Sequence, residues 1–376
     1  MKKNKKLLIG IGIVALIGIV AVGIYKNRQP KADDSVICIA TVLPLTGEFG
    51  KEGELARKVF DFSAKAFNDK TQGKKIRLYH QDGKYAPKDS LMAFSKAVLE
   101  KPSAVIVYGD VPCNCLTKIA SDGNIPVIAI AADNDIPYQS PLIFRGWVST
   151  KLENSALADF VRCKLNDQKA AVLYLKNNFG EIARDNFKES YVARGGQIVA
   201  EESFDASESS LRSQIAKIMA NKPEAIYVIG FGVSFATAIN QIKETHYNGH
   251  ILSNTIIAVP SVNKNIVNRG EGVYFIDTAF DSKTSDERVV RFCESFRANV
   301  GEDPTSFGAF EYEIIRLLGE VGVEFGDEPK QIQNGLYSLH RIDTLMGEFS
   351  YNKDGDVEMK LVPKQMRSDG TFKAVE

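Results

Sequence analysis

The sequence predicts an α/β chain built as two doubly wound parallel-sheet lobes, and three observations carry that prediction. Val36-Ile37-Cys38-Ile39-Ala40-Thr41-Val42-Leu43 is an apolar run without alternation, the habit of a strand buried on both faces of a helix-covered parallel sheet. After the turn Pro44–Gly50, Leu55, Val59, Phe62 and Ala66 fall on one face of a helix. The strand–helix rhythm runs to Ile130 and restarts after Phe144-Arg145-Gly146-Trp147. Two such runs imply two sheets with a cleft between them.

The remaining elements follow in order. Lys75–Gln81 alternates and reads as a strand, and Asp82–Ser90 is a polar loop entering a helix over Leu91–Leu99. Ala104–Tyr108 is a buried strand, followed by a short helix Leu116–Ala120 and a strand Ile125–Ile130. In the second run, helices over Asn154–Leu165, Glu181–Ala193, Ser210–Ala220 and Phe235–Thr245 alternate with strands at 170–175, 197–200, 225–229 and 250–252. Gly195-Gly196 stops the second of those helices. A last strand spans Val273–Asp277, and two helices follow, Arg288–Asn299 and Ala309–Phe325. Gly347–Tyr351 turns through Asn352–Gly355 into a hairpin, with Asp-Gly as its turn signal. The division expected is 34–146 plus 279–341 for one lobe, and 147–278 plus 342–376 for the other.

Lys plus Arg and Asp plus Glu are both 47, so bulk charge gives no surface for nucleic acid. Four lysines precede an uncharged run from Leu7 to Tyr25, and a polar linker follows. That length suits a spanning anchor better than a cleaved signal peptide, which is the alternative. Either way the positive-inside rule puts the folded part at the periplasm or cell exterior, with residues 7–25 as its tether.

Five cysteines is an odd count for an exported chain. Cys113, at a helix start, is the one candidate for a thiol enzyme, since a helix N-terminus lowers a thiol pKa. Its base would have to be His80. Gly230-Phe231-Gly232 lacks the third glycine of a dinucleotide fingerprint. His246 and His250 are separated by Gly249, and Asp354 with Asp356 reads as a hairpin turn; no metal or cofactor is expected.

Leu43-Pro44-Leu45-Thr46-Gly47 with Gly53, Asp82 with Pro87, Ile125–Ile128 leading to Ala131-Ala132, and Phe144-Arg145 form one set of motifs. Asn178-Phe179-Gly180, Pro304, Tyr312, and Gly347-Glu348-Phe349 leading to Asp354-Gly355-Asp356 complete it. In this order the chain resembles the type I periplasmic substrate-binding proteins that serve ABC importers, of the branched-chain amino acid and amide-binding group. The resemblance implies a hinged clamp that captures a small solute for ABC permease and ATPase subunits without covalent chemistry. A ligand sensor on the same fold is the alternative.

Their place on the loops at strand ends puts Thr46, Phe49, Glu52 and Asp110 at the cleft, with solvated helix caps as the alternative, and the resemblance adds Cys113, Asp133, Phe179, Phe231 and Thr255. Amino-acid binders of this group carry hydroxyl residues where this chain has Cys113 and Asp133, a tyrosine at Phe179, and an acid near Thr255. Asp133 would repel a carboxylate, and an unpaired buried charge costs several kcal/mol. The expected ligand is therefore not an ordinary zwitterionic amino acid but a neutral, amide-like, aromatic or cationic molecule.

Overall fold

The computed structural model describes residues 36–266 and 270–375. The first lobe opens with β1 (Val36–Leu43), α1 (Gly50–Lys70), β2 (Lys75–Asp82), α2 (Pro87–Leu99), β3 (Ala104–Tyr108), α3 (Asp110–Asp122), β4 (Val127–Ile130) and β5 (Ile143–Arg145). Its five strands lie in the order β2-β1-β3-β4-β5, all parallel. The unalternating β1 is buried on both faces, as its composition demands. Helix α1 begins where Gly53 meets Pro44: a Cβ there would lie 2.1 Å from the Pro44 carbonyl oxygen. Only glycine lets the helix start so close to the strand end it follows.

The second lobe contains α4 (Thr150–Cys163), β6 (Lys169–Leu175), α5 (Asn178–Ala193), β7 (Gln197–Phe204), α6 (Arg212–Ala220), β8 (Ala225–Ile229), α7 (Gly232–Glu244), β9 (His250–Ser253), α8 (Pro260–Asn263) and β10 (Tyr274–Asp277). The chain then returns to the first lobe with α9 (Glu287–Val300), α10 (Ser306–Phe325) and α11 (Pro329–Tyr337). Helix α10 lies along α1, where the Ser63 hydroxyl donates to the Tyr312 carbonyl at 2.7 Å.

The tail is split between the lobes. β11 (Ile342–Thr344), β12 (Gly347–Tyr351) and β13 (Val357–Met359) form an antiparallel sheet of their own. β14 (Val362–Met366) and β15 (Phe372–Ala374) instead join the second sheet, in the order β15-β14-β10-β9-β8-β6-β7. Residues 342–359, expected with the second lobe, pack on the first. Leu345, Met346, Phe349 and Tyr351 are buried in its core, and Phe144 lies 5.2 Å from Tyr351. Arg145, fully buried, donates to Asp356 and to the carbonyls of Ala131, Asp133 and Asn134, which fixes the hairpin beside β5.

The expected short helix at 116–120 starts earlier, at Asp110, because Pro112 is tolerated within a first turn. The anchor expected at 7–25 lies outside the described residues. Among the described residues no helix is long and apolar enough to cross a membrane.

Candidate ligand-binding cleft

Register sets the two walls of the cleft. In the first lobe Leu43 pairs with Asp82 and Tyr108 with Ile130, so the loops after β1 to β4 leave from one edge. In the second, Tyr174 pairs with Ile229 and Val228 with Ser253, so the loops carrying Phe179, Phe231 and Thr255 leave from another. Open α/β sheets bind ligands at such carboxyl edges.

Four rings form a ladder between the walls. Tyr85 and Phe49 are 4.4 Å apart, Phe49 and Phe231 6.3 Å, and Phe231 and Phe179 6.2 Å. The middle step crosses from lobe to lobe. Alongside the ladder, the Ser261 hydroxyl donates to Glu52 at 2.9 Å, a second contact between the lobes. The structure thus brings Phe49, Glu52, Phe179 and Phe231 to one place.

Tyr85 was not legible from the sequence. It follows Lys84 in a turn where both residues are left-handed, at φ +58° and +49°, a conformation that costs a non-glycine residue free energy. Asp82 holds the turn by accepting the Lys84 amide at 3.0 Å. The Tyr85 ring then lies over Gly109, where a Cβ would meet it at 2.1 Å.

Thr46 is committed to this loop. Its hydroxyl donates to Asp82 at 2.5 Å, and Asp82 also accepts the Leu45 and Thr46 amides. Burial pushes the Asp82 carboxyl up, but these donors outweigh it and hold it below its ordinary value.

Asp110 and Asp133 approach one another as expected, through the backbone. Asp110 accepts the amides of Ala132 and Asp133 at 2.8 and 3.0 Å. Burial pushes its carboxyl up, and those two amides offset part of the rise. The Asp133 carboxylate accepts from the Asn114 side chain at 3.0 Å.

Cys113 does not line the cleft. It is 1% exposed, packs in the core under the loop, and donates its thiol hydrogen to the Val107 carbonyl at 3.4 Å. Because α3 begins three residues before it, Cys113 turns inward onto the sheet. Burial, then Asp110, pushes the thiol pKa well up, the opposite of an activated nucleophile. His80 is bonded to Thr41 and Asp61 instead, at 2.9 and 3.0 Å.

Thr255 is buried, and both its amide and its hydroxyl donate to Glu153, at 2.7 and 2.6 Å. Glu153 arrives from the first turn of α4, a partnership that no sequence spacing announces. Burial pushes its carboxyl up to about 7, with Thr255 opposing and Asp277 adding to the rise. His250 pairs with Asp167 at 2.8 Å. Among the described residues, no three His, Cys, Asp or Glu side chains gather as a metal ion requires.

Residues 36–371 match the family described as Periplasmic binding protein. The chain belongs to the periplasmic binding protein family. This binding protein is 22% identical over 366 residues to a Leu/Ile/Val-binding protein homolog 3 of Brucella melitensis, covering 94% of this chain and 95% of that one. It is 20% identical to a leucine-, isoleucine-, valine-, threonine- and alanine-binding protein of Pseudomonas aeruginosa, covering 91% and 92%. Its fold matches that of a Streptococcus pneumoniae branched-chain amino acid binding protein, LivJ, in complex with isoleucine (TM-score 0.80, 19% identity, 90% and 99% covered). It also matches an R. palustris solute-binding protein in complex with benzoate (TM-score 0.79, 19% identity, 90% and 95% covered). Its fold is thus the one that the leucine-binding and solute-binding proteins of these structures share.

Proposed function

We propose that this binding protein captures a small solute between its lobes for an ABC importer, and that the solute is not an ordinary zwitterionic amino acid. One observation carries the second half. Where hydroxyl donors for an α-carboxylate would stand, the chain has a thiol turned into the core and the Asp133 carboxylate. A ligand carboxylate brought beside Asp133 meets a like charge.

The aromatic ladder supports a ligand with a flat or apolar body, packed against the rings that line the two walls. Capture by closure of two lobes is a hinge motion in which the ligand contacts both walls. That the same fold accommodates isoleucine in one solved structure and benzoate in another supports a change of ligand without a change of fold.

The test is a thermal-shift screen over branched-chain amino acids, aromatic acids and alcohols, amides and amines, followed by calorimetry. A ligand present at 100 times its Kd stabilises the folded state by about 2.7 kcal/mol. Leucine, isoleucine and valine are expected to give no shift, and tight binding of any of them overturns the reading. Tethering through residues 7–25 belongs to the same proposal, tested by fractionating cells and probing the folded part with external protease.

A further inference from the structure

We infer that Tyr85 makes the cleft selective for a planar aromatic solute, because its ring covers the Gly109 main chain and backs Phe49. This rests on the solute-binding reading above and narrows its ligand class.

The turn that carries Tyr85 is built against its own conformational preference. Lys84 and Tyr85 are consecutive left-handed residues, at φ +49° and +58°. Such residues, when not glycine, persist in that conformation only where their surroundings hold them. Three hydrogen bonds do so here. The Gly83 amide donates to the Leu43 carbonyl at 2.8 Å, the Ala86 amide to the Gly83 carbonyl at 3.0 Å, and the Lys84 amide to Asp82 at 3.0 Å. The Lys84 ammonium also pairs with Asp89 at 3.2 Å. Glycine would suit this backbone better than tyrosine. What the turn contributes is therefore the side chain.

That side chain has two neighbours. Gly109 joins β3 to α3, and a Cβ there would lie 2.1 Å from Cε2 of Tyr85 and 2.9 Å from its Cδ2 and Cζ. The ring thus rests on the main chain at the carboxyl edge of β3 and presents an aromatic surface in place of peptide groups. Its other neighbour is Phe49, 4.4 Å away between centroids with 38° between the planes. Asp82 ties the two together. Its carboxylate accepts the Lys84 amide on the Tyr85 turn and the Leu45 and Thr46 amides on the loop that leads to Phe49. Phe49 in turn meets Phe231 of the second lobe edge-on, at 6.3 Å and 66°. The first-lobe wall is a fixed pair of rings facing a third ring on the other lobe. Rings pack on one another in offset and edge-to-face geometries, a preference that a saturated body of the same size lacks.

Calorimetry on the full-length protein with benzamide and its saturated counterpart, cyclohexanecarboxamide, tests the inference. The probes share the amide, and the saturated ring is the more hydrophobic, so burial alone does not favour benzamide. The parent is expected to bind benzamide about fivefold tighter or more. Tyr85→Gly should bring the two within about twofold by weakening benzamide. It should not lower Tm, because glycine adopts the left-handed turn readily. Tyr85→Phe should keep the preference, since a phenyl ring covers Gly109 equally well. Phe49→Leu reads the same wall independently should Tyr85→Gly fail to fold, again with loss of the preference.

Equal binding of the two amides by the parent overturns the inference. So does a Tyr85→Gly variant that weakens both alike, which is what a merely structural role predicts. Tighter binding of the saturated amide overturns it as well, yet leaves the solute-binding reading standing. If neither amide binds, the inference falls, and the broad solute screen then judges the solute-binding reading by itself.

Discussion

The Ser261 hydroxyl on the second lobe donates a 2.9 Å hydrogen bond to the Glu52 carboxylate on the first. Together with the Phe49–Phe231 edge contact it latches the two lobes to one another. A hydrogen bond to a charged group contributes about 1.5–3 kcal/mol and an aromatic pair about 0.5–1.5 kcal/mol. Replacing Ser261 and Phe231 together by alanine is expected to shift the lobes tenfold or more toward an open form. Small-angle scattering of the ligand-free protein would show the larger radius; an unchanged profile would mean that neither contact holds the lobes.

Arg145 should be the costliest single cation to lose. It is fully buried and reaches Asp356 and the Ala131, Asp133 and Asn134 carbonyls. Arg145→Met leaves Asp356 and three carbonyls without their donor, a loss of about 3–5 kcal/mol for a broken buried pair. Arg145→Lys should not rescue it, because an ammonium cannot reproduce the planar fork. Denaturant titration of both variants measures this directly.

The pH dependence of stability follows from Glu311 and Glu153, whose carboxyls are raised from 4.5 to about 8 and about 7 by burial. The folded state then binds more protons than the unfolded one. Stability is greatest below about pH 4.5 as far as these two groups are concerned, and falls as pH rises through 7 and 8. Glu311→Gln removes its share, so the variant should exceed the parent at pH 9 by on the order of a few kcal/mol and match it near pH 4. Equal differences at both pH values would refute the assignment.

The thiols should react in order of exposure. Cys163 is exposed, Cys38 and Cys115 are half-buried, and Cys113 and Cys293 are buried. A thiol reagent added to the native protein should modify Cys163 first and Cys113 only after unfolding. Cys113→Ser should leave solute binding within about twofold, since the side chain touches Val107 rather than the cleft. Rapid native labelling of Cys113 would restore the enzyme reading that its burial removes.

Much of the fold was legible because it follows from local pattern. Val36–Leu43 is apolar throughout, and a strand of that kind has only one environment that suits it. The restart of the rhythm after Trp147 gave the second lobe for the same reason. The hairpin at 347–359 was legible as a hairpin but not as to which lobe it covers. That was decided by Arg145 and Asp356, 211 residues apart, meeting in the core.

Local pattern sufficed for the buried parallel strands, most helices and the two sheets, since periodicity and turn chemistry act between near neighbours, but it missed the short strands Ile143–Arg145, Ile342–Thr344, Val362–Met366 and Phe372–Ala374. What the loops at the sheet edges present came from packing across the whole fold. It turned Cys113 inward, gave Thr255 a carboxylate from α4, raised Tyr85 on two left-handed residues, and left Glu311 buried without a partner. Each outcome depends on groups that are distant along the chain, and burial, unlike periodicity, is a property of all of them together.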